Sequence, residues 1–102
     1  MASISAQAIL NVGGQVKVKC QAMQGVFHHE VGVLIRGSEG SYESLLDAEM
    51  VTLDEPLDDG QKPGTLRATV VKVNGVKVLV ELPRQVVSGG RRVWIPKTEI
   101  QP

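Results

Sequence analysis

Residues 65–82 read Thr65-Leu-Arg-Ala-Thr-Val-Val-Lys-Val-Asn-Gly-Val-Lys-Val-Leu-Val-Glu-Leu82. Two runs rich in β-branched residues flank the Asn74-Gly75 pair, and such runs favour extended strands. Asn-Gly readily adopts the two positive φ angles of a type I′ turn, whose twist matches that of the strands it joins. This stretch therefore predicts a β-hairpin with a two-residue loop.

The length of the loop also predicts the register of the hairpin, because it sets which residues lie opposite each other. Val73 is expected to face Val76, and Lys72 is expected to face Lys77. One face of the hairpin then resembles a core face, since it carries Val71, Val73, Val76, Val78, Val80 and Leu82. The opposite face is polar near the loop and becomes apolar further away, with Leu66, Ala68, Val70 and Leu79.

A simple surface hairpin would be polar on one side, so the second apolar face needs an explanation. A tightly coiled small barrel, a covering helix or loop, or a subunit interface would each provide one. We predict an interface with a partner protein or a second copy, formed by Leu66, Ala68, Val70 and Leu79. The paired Lys72 and Lys77 are interpreted as a solvated tip that resists edge aggregation, with an anion contact as the alternative.

The rest of the chain contains further short strands separated by turn signals. Residues 15–23 and 26–36 each alternate between apolar and polar side chains, as half-buried strands do. Gly32 lies in the middle of the second of these strands, where it predicts a bulge, a sharp bend or a close backbone approach. Two more strands are expected over residues 49–53 and 92–95.

Turns, loops and one short helix are expected between these strands. Ser41 is placed to cap a short helix over residues 42–48. Residues 54–64 and 83–90 are rich in Gly, Pro and polar residues, which indicates loops. Pro96 ends the last strand, and a single 3₁₀ turn follows it.

Five or six short strands with at most one short helix predict a mostly β domain. The expected architecture is a small five- to six-stranded barrel, SH3-like or similar. The likeness to SH3-like barrels rests on a strand, a proline and a one-turn helix at the end of the chain, and no motif identifies a family. Residues 1–14 are expected to form an N-terminal arm or short helix, and residues 15–102 the single barrel domain.

A chain of 102 residues forms one domain with a modest core. Its aromatic residues are only Phe27, Tyr42 and Trp94, so the core is expected to be aliphatic. The lone Cys20 has no partner for an internal disulfide, which favours a reducing compartment. No signal-peptide pattern and no membrane-length apolar run is present, so we expect a cytoplasmic protein without a membrane partner.

Charge is balanced overall, with 11 basic and 11 acidic residues, but it is unevenly distributed. Residues 37–61 hold eight acidic residues and no Lys or Arg, whereas residues 62–102 hold eight basic residues and two acidic ones. These regions either neutralise each other in the fold or give a bipolar surface that suits association. Zero net charge argues against a dedicated nucleic-acid binder, which is usually basic.

The best candidate binding patch is the basic C-terminal region. It contains the run Ser88-Gly-Gly-Arg-Arg-Val-Trp94. A Gly-Gly turn exposes backbone N–H groups, arginines donate in pairs to phosphate or carboxylate, and tryptophan stacks on bases. The alternatives are that Trp94 belongs to the core while the arginines pair with the acidic region, or that the patch binds a protein. The predicted ligand-binding residues are Arg84, Arg91, Arg92, Trp94 and Lys97.

Catalytic and metal-binding patterns are weak. His28 and His29 point to opposite faces of a strand, so they cannot chelate one ion together, although His28 and Glu30 share a face with Asp47 as a conceivable third ligand. Residues 54–60 do not match a calcium loop, and no GxSxG, P-loop or GxGxxG motif occurs. Cys20 is expected to be a core residue. We therefore expect no enzyme activity, no cofactor and no metal.

The sequence thus predicts a non-enzymatic small β-barrel that acts as a binding or assembly module, through protein–protein contacts or homo-oligomerisation. The alternative is a nucleic-acid or phospholigand-binding module that uses the basic C-terminal patch. The third hypothesis is an enzyme, which would need an ordered metal or a pocket lined by His28 and Glu30.

Overall fold

The computed structural model of the chain describes residues 10–25 and 27–101. They form one curled antiparallel sheet, which makes a half-barrel. Its strands are β1 (Gln15–Gln24), β2 (Glu30–Arg36), β3 (Ser41–Asp47), β4 (Val51–Leu53), β5 (Lys62–Asn74), β6 (Lys77–Glu81), β7 (Arg92–Pro96) and β8 (Ile100–Gln101). The predicted mostly β fold is confirmed, with eight strands within the described residues in place of five or six. Residues 1–9, which hold most of the predicted N-terminal arm, lie outside the described part.

Strand β5 is the centre of the sheet, whose order is β3-β2-β1-β5-β6-β7. Its first part lies between β1 and β4, and its last part pairs with β6. Gly64 is buried where β4 crosses close to β5, since a Cβ there would lie 2.8 Å from the Thr52 carbonyl oxygen. The predicted 3₁₀ turn is present at Lys97–Glu99. Strand β8 follows this turn and pairs with β1.

Loop residues form hydrogen bonds to the two outer strands of the sheet, β3 and β7, across the open side of the half-barrel. The connecting segment, residues 83–91 between β6 and β7, lies against β3. The Val87 N–H donates to the Glu43 carbonyl at 2.7 Å, and the buried Ser44 hydroxyl donates to the Gln85 carbonyl at 2.8 Å. On the other side, the Ser38 N–H of the β2–β3 turn donates to a β7 carbonyl at 2.9 Å.

An aliphatic core fills the inside of the half-barrel, as the composition predicts. The alternation of β1 is confirmed, because each of its four apolar inward positions is buried. The buried apolar residues are Val16, Val18, Cys20, Ala22, Val31, Val33, Ile35, Leu46, Val51, Leu66, Ala68, Val70, Val78, Val80, Leu82, Val86, Val93 and Ile95. Among the described residues, none of the three aromatics is fully buried.

The predicted hairpin of β5 and β6 is present, but its loop is displaced by one residue. Asn74 pairs with Lys77, so Gly75 and Val76 form the two-residue loop. Gly75 has a φ of 62°, and no described non-glycine residue has a positive φ. A positive φ at the first loop position alone is typical of a type II′ turn, so the predicted type I′ turn is wrong.

A β-bulge in β5 inverts the predicted faces of the part of β5 that precedes it, whereas Val78, Val80 and Leu82 are buried as predicted. Val70 pairs with Val80, whereas Lys72 pairs with Leu79, and Val71 between them has no partner in the β6 ladder. The extra residue shifts the alternation of β5, because successive side chains of a strand point to opposite faces. The half of β5 before the bulge therefore turns its even-numbered residues into the core.

Three further sequence predictions are corrected by the structure. Residues 41–47 form strand β3 and not a helix; the pattern was misleading because the inward position 44 is a serine and Leu45 points outward. Strand β2 keeps an unbroken register with both neighbours at Gly32, which excludes the bulge among the three features predicted there. Strand β5 begins at Lys62, within the region predicted to be a loop.

Candidate functional site

The residues predicted to form an interface do not share an exposed face. Leu66, Ala68 and Val70 are 4% exposed or less and belong to the core, because the bulge at Val71 turns them inward. Leu79 alone points outward, and it is half-buried. The first of the three explanations for the second apolar face, a curled barrel-like sheet, accounts for these positions.

The predicted basic patch is divided by the fold into separate places. Arg84 and Arg91 lie on the connecting segment, whereas Arg92 and Trp94 lie on the outer side of β7 and Lys97 lies in the last 3₁₀ turn. Trp94 is half-buried and points away from the core. The sequence patch thus contributes to two surfaces.

Two arginines of the patch are paired with carboxylates. The Arg84 guanidinium lies 3.0 Å from the Asp47 carboxylate, and the Arg92 guanidinium lies 3.2 Å from that of Glu81. Arg91 is exposed and donates from Nε to the Leu82 carbonyl at 3.0 Å. The expected neutralisation between the basic and acidic regions is therefore partly realised.

The predicted pairing of Lys72 with Lys77 is wrong because of the displaced loop. Lys72 lies opposite Leu79, and Leu79 lies opposite Trp94 on the next strand. The Lys77 ammonium lies 4.9 Å from the centre of the Trp94 ring, within the range of a cation–π contact. These four side chains form a mixed cationic and apolar row on the outside of the sheet.

An apolar groove that the sequence analysis missed lies on the outside of β1, β2 and β3. Met23, Gly32 and Leu45 are direct neighbours across these three strands. Because Gly32 has no side chain, a gap remains between the other two, and Val87 of the connecting segment borders it. We call the whole depression around this gap the outer groove, and Glu43 and Gln61 also contribute to its lining. It has a volume of about 440 Å³, within the ~300–1,000 Å³ range of ligand pockets.

The walls of the outer groove are unusually exposed for apolar side chains. Leu45 is 52% and Val87 is 76% exposed, and Met23 is also exposed. A second depression shares Leu45 and Val87 with the groove and is lined further along by Arg84 and Arg91. The outer groove thus continues from an apolar part into a cationic end.

The fold does not itself require the gap at Gly32. An ideal Cβ at this position would lie 3.4 Å from the Met23 Cγ and 3.9 Å from a Leu45 methyl, which are ordinary contact distances. Its φ is not in the left-handed region. A glycine in mid-strand lowers stability relative to alanine. The one signal of the groove in the sequence was therefore this glycine.

The acidic loop before β5 is paired with a lysine of the same region. The Lys62 ammonium lies 3.2 Å from the Glu55 carboxylate and 3.6 Å from that of Asp58. The pKa of Asp58 is lowered by the N–H of the next residue and by Lys62, and the pKa of Lys62 is raised by the two carboxylates. The pKa shifts in this loop are therefore explained by the N–H of Asp59 and by the ion pairs of Lys62 with Glu55 and Asp58.

The lone cysteine and the two histidines are each placed by the structure. Burial raises the pKa of the Cys20 thiol to about 11, so the thiol stays protonated and enclosed near neutral pH. His28 and His29 are exposed and pack against each other in an edge-to-face arrangement. Over residues 10–25 and 27–101, no group of three His, Cys, Asp or Glu side chains is placed to hold a metal ion.

No protein-family model matches the chain, and no curated protein or solved structure is significantly similar to it. In the part of the chain that the structure describes, no helix has the length and apolar character needed to cross a membrane. The outer groove and the cationic row on β5, β6 and β7 are therefore the surfaces from which a function is inferred.

Proposed function

We propose that the protein is a non-enzymatic binding module that docks a short segment of a partner protein in the outer groove. The observation that supports this most directly is the gap at Gly32 between Met23 and Leu45. A glycine that lowers strand stability, and that packing does not demand, suits a position that receives a side chain from elsewhere.

The lining of the groove favours a partner segment of a particular chemistry. Covering the exposed apolar walls with an apolar side chain removes their surface from water, which favours binding. Apolar patches with a polar rim are also typical of protein–protein contacts. At its far end the groove meets Arg91, which has no ion pair with any described residue. The segment that fits is an apolar side chain followed by a carboxylate, since guanidinium groups bind carboxylates with paired hydrogen bonds.

The size of the groove limits the contact to one or two side chains. Interfaces of this kind depend on a few central anchor residues, with the surrounding contacts excluding water. Partner binding is therefore expected to be weak and reversible, as is common for short linear segments.

Selection of phage-displayed random 12-residue peptides on the purified protein tests the proposal. The recovered peptides should carry an apolar residue next to Asp or Glu. Fluorescence anisotropy should show at least a tenfold loss of affinity in Gly32→Val, which fills the gap, and about a threefold or larger loss in Arg91→Gln. Leu45→Ser should weaken binding, whereas Val76→Ser should not, because Val76 is equally apolar and 82% exposed but lies in the hairpin loop.

Two results would overturn the proposal. One is that the recovered peptides bind Gly32→Val as tightly as the original protein. The other is that light scattering shows a dimer that Gly32→Val dissociates, since the occupant of the groove would then be a second copy and not a different partner.

A further inference from the structure

Two cationic side chains lie directly opposite each other on the outer face of the sheet. Lys17 of β1 pairs with Arg67 of β5, and both are exposed. Like charges at directly opposed positions destabilise a strand pair. Neither residue makes an ion pair with a described carboxylate.

The strand positions on either side of this pair carry hydrogen-bond donors. Gln15 lies opposite Thr69 on one side of it, and Lys19 lies opposite Thr65 on the other. A depression of about 190 Å³ is lined by Gln15, Val16, Lys17 and Arg67. Glu49 borders a separate depression that also reaches Lys17 and Arg67, at more than ion-pair distance from both. The arrangement suits an oxyanion such as a phosphate group.

The positive charge continues along the outer face of β5, β6 and β7. Lys72 lies five residues beyond Arg67 on β5, a separation of about 17 Å along an extended strand. This span exceeds a single phosphate and suits a chain of them. We call the outward positions of β1, β5, β6 and β7 the basic face; its cations are Lys17, Lys19, Arg67, Lys72, Lys77 and Arg92, against the single carboxylate of Glu81.

Charge balance over the whole chain conceals this asymmetry. Eight of the eleven acidic residues lie in residues 37–61, which contribute β3, β4 and the loops around them. Only Glu49 and Asp54 of these eight line depressions that also reach Lys17, Lys19 or Arg67. The argument against nucleic-acid binding from zero net charge therefore applies to the chain as a whole but not to this surface.

An aromatic side chain lies within the basic face. Trp94 points outward from β7, next to Leu79 and with the Lys77 ammonium over its ring. A half-buried tryptophan on an outer sheet surface offers a flat apolar area on which a base can stack, here in place of the Lys77 ammonium. Proteins that bind single strands combine a cationic track for the backbone with such stacking platforms.

We propose that the basic face binds a single-stranded nucleic acid, with Lys17 and Arg67 holding one phosphate and Trp94 stacking on a base. Lys72 contacts the backbone between these two points. The basic face lies on the convex outside of the half-barrel, where a nucleic acid can reach it. The outer groove on β1, β2 and β3 lies elsewhere on the sheet. This second binding activity does not depend on the function proposed above.

A labelled 15-nucleotide oligothymidine tests the proposal in two independent ways. Anisotropy should show binding that weakens with salt, with a slope of about −0.7 in log K against log salt for each phosphate contact. Trp94 is the only tryptophan of the chain, so its fluorescence reports on stacking directly. We expect quenching by oligothymidine, and none by an abasic strand of equal length.

Matched variants separate the phosphate site from general charge effects. Lys17→Gln should lower the affinity at least fivefold and reduce the salt slope by about 0.7. Lys62→Gln removes the same charge from β5 but from an ammonium already paired with two carboxylates, so it should leave the affinity within twofold. Trp94→Leu should lower the affinity for oligothymidine about tenfold and leave that for the abasic strand unchanged.

Lys17→Glu provides a check on folding, because it replaces two opposed cations by an opposite-charge pair. Its melting temperature should equal or exceed that of the original protein while binding is lost. The proposal is overturned if Lys17→Gln and Lys62→Gln weaken binding equally. It is also overturned if heparin and oligothymidine bind alike without changing Trp94 fluorescence, since a nonspecific polyanion surface would then suffice.

Discussion

Gly32→Ala should make the protein more stable, although glycine occupies a central position of strand β2. Glycine in mid-strand costs about 0.5–1 kcal/mol relative to alanine, because the unfolded chain loses more backbone freedom on folding. A new Cβ would meet Met23 at 3.4 Å and Leu45 at 3.9 Å, so it gains contacts without a clash. We expect the free energy of unfolding to rise by about 0.5–1 kcal/mol.

Gly64→Ala is the matched control, since Gly64 is also a strand glycine without a positive φ. Its Cβ would lie 2.8 Å from the Thr52 carbonyl oxygen and 3.0 Å from a Leu53 methyl. Backbone atoms cannot yield as a flexible side chain can, so this variant should lose about 1–3 kcal/mol through overpacking. The two glycines therefore predict changes of opposite sign.

Urea and thermal unfolding measure both variants against the original protein. For a domain of this size, 1 kcal/mol corresponds to a shift of about 4–8 °C in the melting temperature. Gly32→Ala should therefore melt a few degrees higher, and Gly64→Ala several degrees lower. A loss of stability in Gly32→Ala would refute the reasoning, because the gap would then be a requirement of the fold and not a vacancy for a partner.

Three further variants test the interior and the surface. Burial raises the pKa of the Cys20 thiol from 9.0 to about 11, so the unfolded state loses this proton first. The free energy of unfolding should therefore fall by about 2 kcal/mol between pH 9 and 11 relative to Cys20→Ala, and parallel pH profiles would contradict this. Ser44→Ala should lower the free energy of unfolding, measured in urea, by about 1–3 kcal/mol because it leaves the Gln85 carbonyl of the connecting segment unpaired. Ser41→Ala, on the exposed side of β3, should leave the free energy of unfolding unchanged. Arg84→Gln should change stability by less than about 1 kcal/mol, since Arg84 and Asp47 remain largely exposed; a larger loss in thermal unfolding would show that the pair holds the connecting segment in place.

The sequence predicted the strands whose alternation is regular. Val16, Val18, Cys20 and Ala22 follow each other at every second position, so the inward face of β1 was evident. Strand β3 was mistaken for a helix because its inward position 44 is polar, and the partner that satisfies this serine lies 41 residues away. Such a long-range hydrogen bond leaves no local pattern.

The bulge at Val71 shows why the predicted interface was wrong. Alternation assigns faces correctly only while the register is unbroken, and one extra residue exchanges the two faces for everything before it. Val70 and Val71 are both β-branched and apolar, so either residue fits either face by composition. The choice was made by pairing with β1 and β6, which the sequence of β5 alone does not contain.

The candidate surfaces were less predictable than the fold, because each combines residues from distant segments. Lys17 and Arg67 are 50 positions apart, and only the pairing of β1 with β5 brings them together. The outer groove likewise joins three strands and the connecting segment. Individual residues such as Gly32 and Trp94 could be singled out in advance, whereas their neighbours could not.

The connecting segment has a consequence for how this sheet meets other chains. Residues 85–87 make hydrogen bonds to the outer edge of β3, at groups that could otherwise pair with a strand from another chain. An exposed edge is a template for polymerisation, and covering it with a loop is one way in which β proteins remain separate. Any strand that extends this sheet at β3 must first displace residues 85–87 of the protein itself. The hydrogen bonds that these residues already make to β3 therefore oppose strand addition at that edge.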